Sequence, residues 1–121
     1  MTDINETVAD YIAMWNETDP AARAELIKKV WTETAVYTDP LTSVTGHAGI
    51  SAVVDAVRGQ FPGFTFRIGG GVDAHHDLAR FTWELAQGDG AALAVGFDVA
   101  VTAEDGRIAS VLGFLDKVPA M

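Results

Sequence analysis

The stretch VGFDVAV, residues 95–101, decides how this chain is arranged. Its large apolar residues recur at every second position, the period of a strand. Val95, Phe97, Val99 and Val101 share one face, and Gly96, Asp98 and Ala100 share the other. An aspartate inside a strand works against the strand and needs a reason. Two arrangements are open. Either the Val/Phe side packs on helices and Asp98 faces water, or Asp98 faces a cavity under the helices and the Val/Phe side meets a second subunit.

The neighbouring segments build a sheet around this strand. AEDG (103–106) reads as a turn and RIASVLGFLDK (107–117) as a closing strand. Upstream, LARFTWELA (78–86) alternates, with Phe81, Trp83 and Leu85 opposite Arg80, Thr82 and Glu84. QGDG (87–90) and AHHD (74–77) are turns. FTFRIGGGVD (64–73) alternates and then carries Gly69 to Gly71, which predict a bulge or sharp bend. The expected sheet is a four-strand antiparallel meander.

The first half of the chain has helical periodicity. Ile4, Val8, Tyr11, Ile12 and Trp15 form one stripe. Asp19 and Pro20 are start signals for a second helix over about 20–31, with Ala21, Leu26, Ile27, Val30 and Trp31 as its buried set. A short strand is expected at 35–38, then a loop to Gly46. HAGISAVVDAVRGQF (47–61) reads as a third helix, with Ile50, Val53, Val54, Val57 and Phe61 on one side. Helices followed by strands make the class α+β.

The length of 121 residues suits one domain, taken as 1–121. Seventeen acidic against eight basic residues give a formal charge of −9, which argues against nucleic acid and anionic membranes as partners. With no cysteine, disulfides and thiolate chemistry are excluded. The acidic N-terminus is neither a secretory signal nor a transit peptide, and no apolar run approaches the ~20 residues of a membrane span. The expected location is cytoplasmic.

In AVYTDP (35–40) an apolar strand stops at Asp39, held against Pro40. Asp39 is either a strand-end turn residue or a carboxylate aimed into a pocket. Tyr11 lies on the apolar stripe of its helix, so its hydroxyl is buried and wants a partner. Asp73, His75, His76 and Asp77 invite a metal reading, but their spacing matches no sharp metal motif and no metal is expected. Gly69–Gly71 is not a phosphate loop, since neither a helix nor a Lys-Ser/Thr pair follows it.

The order of these elements resembles the NTF2-like superfamily, which includes ketosteroid isomerases and SnoaL-type polyketide cyclases. The resemblance rests on YIAMWNETD in the first helix, AVYTDPL…GHAGI from strand to third helix, and FDVAVTAEDGRI across the last hairpin. It implies a cone-shaped α+β fold, three N-terminal helices packed on a curved, mainly antiparallel sheet. It also implies a homodimer through the Val/Phe sheet face, with Asp98 toward the cavity. Tyr11 sits where the isomerases place an oxyanion-hole tyrosine, Asp39 where they place the general base, and Asp98 where they place a protonated acid. Tyr37, two residues before Asp39, shares its face if that stretch stays extended; Tyr37, Trp15, Trp83 and Phe114 are the expected cavity walls and substrate contacts.

The chemistry implied is proton abstraction alpha to a carbonyl of a hydrophobic small molecule, without cofactor. It needs a carboxylate base beside the carbon and donors at the oxygen. Asp98 donates only if an apolar site keeps it protonated, the state expected here at neutral pH. A second reading is a non-catalytic binding module for an apolar ligand or a protein partner. A third, an epoxide hydrolase of the limonene type, wants an Asp-Arg-Asp set. The best arginine for that, Arg80, falls on the polar face of its strand.

Overall fold

The computed structural model describes residues 3–119. Among the described residues there are three helices, α1 (Ile4–Asn16), α2 (Pro20–Val30) and α3 (Gly46–Gln60). Strands β1 (Trp31–Thr38) and β2 (Ser43–Thr45) lie between α2 and α3. Strands β3 (Thr65–Ile68), β4 (Asp73–His75), β5 (Leu78–Ala86), β6 (Ala94–Thr102) and β7 (Ile108–Lys117) complete a mixed, curved, open sheet.

Local chemistry starts the first two helices. The Asp3 side chain accepts from the Asn5 amide at 2.9 Å, and the Asp19 side chain accepts from the Ala22 amide at 2.9 Å, with Pro20 in the first helical position. The second helix departs from expectation at both ends. Ala21 is exposed and Arg23 is buried in its place, bonded to the Glu17 carbonyl and to Asp55, each at 3.3 Å. Trp31 enters the core from β1 rather than from the helix, because the threonine-rich run Thr32-Glu33-Thr34 favours extended chain. The expected loop before Gly46 contains β2, which pairs with the end of β1.

The strand order is β2-β1-β7-β6-β5-β3, with β4 also on β5. All pairings are antiparallel except β1 with β7. Ile68 pairs with Trp83 and Asp73 with Arg80, so residues 69–72 leave the ladder as the glycine run predicts. This parallel β1–β7 contact carries the end of β1, and Asp39 with it, to the middle of the sheet.

Asp98 on β6 is paired with Phe81 and Gly113, on the face covered by the helices. Ala79, Phe81, Leu85, Ala100 and Val111 share that face and pack against Val8, Tyr11, Ile12, Trp15, Ile50 and Val54. Asp98 lies beneath the helices, which rules out the arrangement in which it faces water. The Val/Phe side turns outward, where Phe97 pairs with Phe114 and Val99 with Leu112. Among the described residues, no helix is long and apolar enough to cross a membrane.

Candidate functional site

Asp98 is only 2% exposed, yet both its oxygens are bonded. The Tyr11 hydroxyl donates to Oδ2 at 2.8 Å, and the Trp83 indole N–H donates to Oδ1 at 3.3 Å. Small residues make this geometry possible. A Cβ on Gly96 would overlap the Trp83 indole, so the ring lies flat against bare backbone. A Cβ on Gly113 would sit 2.9 Å from Asp98 Oδ1 and 3.4 Å from Asp39 Cβ. Gly113 therefore holds open the point where the two aspartates converge.

Asp39 fills the turn role, and its carboxylate also meets a buried tyrosine. Its Oδ1 accepts the amides of Leu41 at 2.8 Å and Thr42 at 3.0 Å, closing the turn that follows Pro40. Its Oδ2 accepts the Tyr37 hydroxyl at 2.7 Å, as their shared strand face predicts. An aromatic cage surrounds these groups. Tyr11 packs against Trp15, Trp31 and Phe81, and Trp15 against Tyr37 and Phe66. Phe66 packs edge-on to Trp83 at 5.2 Å.

The fold thus gathers Tyr11, Trp15, Tyr37, Asp39, Trp83 and Asp98. Phe114 is a correction: it stands on the outer face of the sheet, 56% exposed, because its place on β7 is opposite Phe97. The turn bearing His75 and His76 lines a separate groove of about 280 Å³ with Ile4 and Thr7. Among the described residues no group of three or more His, Cys, Asp or Glu gathers as a metal site.

Three participants escaped the sequence reading. Gly96 and Gly113 carried a signal, since glycine inside a strand marks close approach of another group. Arg58 carried one too, standing one helical turn after Val54 on the apolar stripe of α3. It lies over the Phe66 ring, 5.6 Å from its centroid.

Burial raises the Asp98 carboxyl to about 6, against the opposing effect of the Tyr11 and Trp83 hydrogen bonds, with a further rise from the Asp39 charge. The direction is as expected, and the rise stops at about 6. The two donors explain why, since they stabilise the carboxylate. Burial, then the charge of Asp98, raises Tyr11 well above its usual value. Tyr37 is raised as well, by burial first and then by the Asp98 and Asp39 charges.

A carboxyl raised in the folded state makes stability fall with pH. Between the unfolded value of about 3.9 and the folded value of about 6, the native protein binds more protons than the unfolded chain. The stabilisation of the neutral acid is fully present below that window and lost as pH rises through it, on the order of 3 kcal/mol. Asp98→Asn removes this dependence. Urea unfolding at about pH 4 and about pH 7.5 is expected to show the variant gaining on wild type by that order. Parallel pH profiles for the two proteins would refute the raised carboxyl.

The model of the SnoaL-like domain family matches residues 8–111. A crystal structure of a provisionally assigned isomerase of the SnoaL-like family from Agrobacterium tumefaciens superposes with a TM-score of 0.88. It is 40% identical, and the match covers 96% of this chain and 99% of that one. A SnoaL-like protein of unknown function from Burkholderia thailandensis matches at TM-score 0.73 and 15% identity, over 95% and 98% of the two chains. A provisionally assigned polyketide cyclase from Sinorhizobium meliloti matches at TM-score 0.69 and 15% identity, over 89% and 93%. These last two show likeness of fold alone. No curated protein matches the chain.

Proposed function

The chain belongs to the SnoaL-like family, with its cone-shaped NTF2-like fold, and on that premise we propose that it is a small acid–base enzyme acting on a hydrophobic carbonyl compound. The observation that carries this reading is the approach of Asp39 and Asp98 to either side of Gly113, one in a polar turn and one buried with a raised pKa. Carboxyls in such different surroundings are suited to opposite halves of a proton transfer. Asp39, held at the turn by the Leu41 and Thr42 amides, takes the proton alpha to the carbonyl. Tyr11 and protonated Asp98 donate to the oxygen, where negative charge develops. A bound ligand that excludes water and places charge on that oxygen favours the protonated acid. The proton held by Asp39 then returns to carbon, so the cycle closes without a redox partner or cofactor.

One observation favours a second reading, a non-catalytic binding module. Tyr11 is 1% exposed and its hydroxyl is already satisfied by Asp98, as in a packed core. The epoxide hydrolase reading has no such support, because Arg80 bonds Asp73 on an exposed edge at 3.0 Å. Exchange of alpha protons in a panel of enones and aryl ketones, followed by NMR in deuterated buffer, separates the first two. An enzyme exchanges them catalytically, and exchange slows above about pH 6 as free Asp98 loses its proton. Binding without exchange in the wild type leaves the module.

We also propose that the outer sheet face joins two copies of the chain. Leu112 and Phe114 are 46% and 56% exposed there, beside Phe97 and Val99. Arg67, Arg80 and Glu84 border this patch with both signs of charge, which a two-fold axis can pair with themselves. Light scattering at micromolar concentration is expected to give a dimer, and Phe114→Arg a monomer. A wild-type monomer would rule the contact out.

A further inference from the structure

Among the described residues, Arg58 alone has buried side-chain nitrogens, Nε and Nη2, without an acceptor in the protein. The other four arginines each bond a carboxylate: Arg23 with Asp55, Arg67 with Glu84, Arg80 with Asp73 and Arg107 with Glu33. In a chain with 17 acidic residues, an unused guanidinium edge is not for want of carboxylates. Burial and the neighbouring Arg23 lower the Arg58 pKa, so the fold holds this cation at a cost. Arginine nevertheless stays charged.

The two free nitrogens form one edge of the guanidinium. Their N–H bonds run parallel and match the two oxygens of a carboxylate. A chain of contacts links Arg58 to the candidate site. Arg58 covers Phe66, Phe66 packs against Trp15 and Trp83, and the Trp83 N–H bonds Asp98. We propose that the carbonyl compound handled by Tyr11, Asp39 and Asp98 carries a carboxylate, which the Nε/Nη2 edge of Arg58 holds. The ligand's apolar body lies along Phe66 and Trp83, with its ketone at Asp98 and its acid at Arg58. A phosphate would bring more charge and more acceptors than this single edge can satisfy. In a protein of charge −9, an inward cation without a carboxylate partner also selects where an organic acid settles.

This inference rests on the acid–base reading for the position of the ketone, but its test is a binding test. The full chain is titrated by calorimetry with 4-oxo-4-phenylbutanoate, with its methyl ester and with phenacyl phosphate. Wild type is expected to bind the keto acid at least about tenfold more tightly than the ester. Arg58→Met removes that preference and melts at or above the wild-type temperature, because a half-buried cation without a carboxylate partner is gone. Arg58→Lys keeps a charge without the fork and retains only part of the preference, so it decides the matter should the methionine variant not fold. Equal binding of acid and ester by wild type, no binding of the acid at millimolar concentration, or a preference that survives Arg58→Met overturns the proposal. Tighter binding of the phosphate overturns the carboxylate assignment. Alpha-proton exchange of the bound keto acid is scored separately. Its absence with the acid preference intact defeats the acid–base reading and upholds the Arg58 contact.

Discussion

Asp39→Asn is expected to abolish catalysed alpha-proton exchange while leaving ligand affinity within a few-fold of wild type. A positioned general base contributes roughly 10²–10⁴-fold, and an amide cannot take the proton. The fold should survive. The amide oxygen of asparagine still accepts from Leu41 and Thr42, which now bond Oδ1, and its nitrogen can donate to the Tyr37 oxygen in place of Oδ2. Affinity is spared because the lost interaction is made in the transition state, not with the resting ligand. The measurement is deuterium incorporation into a bound ketone, with binding followed in parallel. Exchange at the wild-type rate in the variant would return Asp39 to a turn residue beside Pro40.

The second large effect is expected at Gly96, which no reaction touches. A methyl group there occupies the volume of the Trp83 indole, so Gly96→Ala must push the ring off the strand. Overpacking of this kind costs about 1–3 kcal/mol. Displacing Trp83 also breaks its bond to Asp98 and its edge contact with Phe66. With one donor gone, the Asp98 carboxyl rises above about 6, because the Trp83 hydrogen bond is one of the two that hold it down. The expected outcome is a less stable protein whose Asp98 titrates at higher pH, seen by urea unfolding and by carboxyl carbon NMR. Wild-type stability with an unmoved titration would show that the indole has room elsewhere. Gly96→Ala thereby tests the cage independently of any substrate.

The elements themselves were legible because their causes are local. Period 3.6 in α1 and α3, period 2 in β5 and β6, and the Asp19-Pro20 start of α2 depend on residues a few positions apart. The end of α2 was misread where competition was close. Trp31 fits a helical stripe as well as a strand, and the extended preference of Thr32-Glu33-Thr34 together with the pairing of Trp31 with Ile108 on β7 puts it in the sheet. Phe114 shows the limit of alternation: period 2 sorts a strand into two faces without saying which one meets the helices.

By itself the sequence determined that Asp98 opposes the Val/Phe face, that Tyr11 lies on a buried stripe, and that Asp39 and Tyr37 share a side. Each of these follows from the geometry of one element. Only the tertiary structure decided that these groups meet. The Tyr11–Asp98 bond spans 87 residues, and the pairing of Asp98 with Gly113 needs two strands in register. Whether a buried carboxyl is neutral depends on donors from other elements, here Tyr11 on α1 and Trp83 on β5. Arg58 is the same case from the other side. Its place on α3 is visible in the sequence, but a missing acceptor becomes visible only when every neighbour in space has been placed. Local periodicity fixes direction along one element, whereas pairing, burial and charge depend on what the rest of the chain brings alongside.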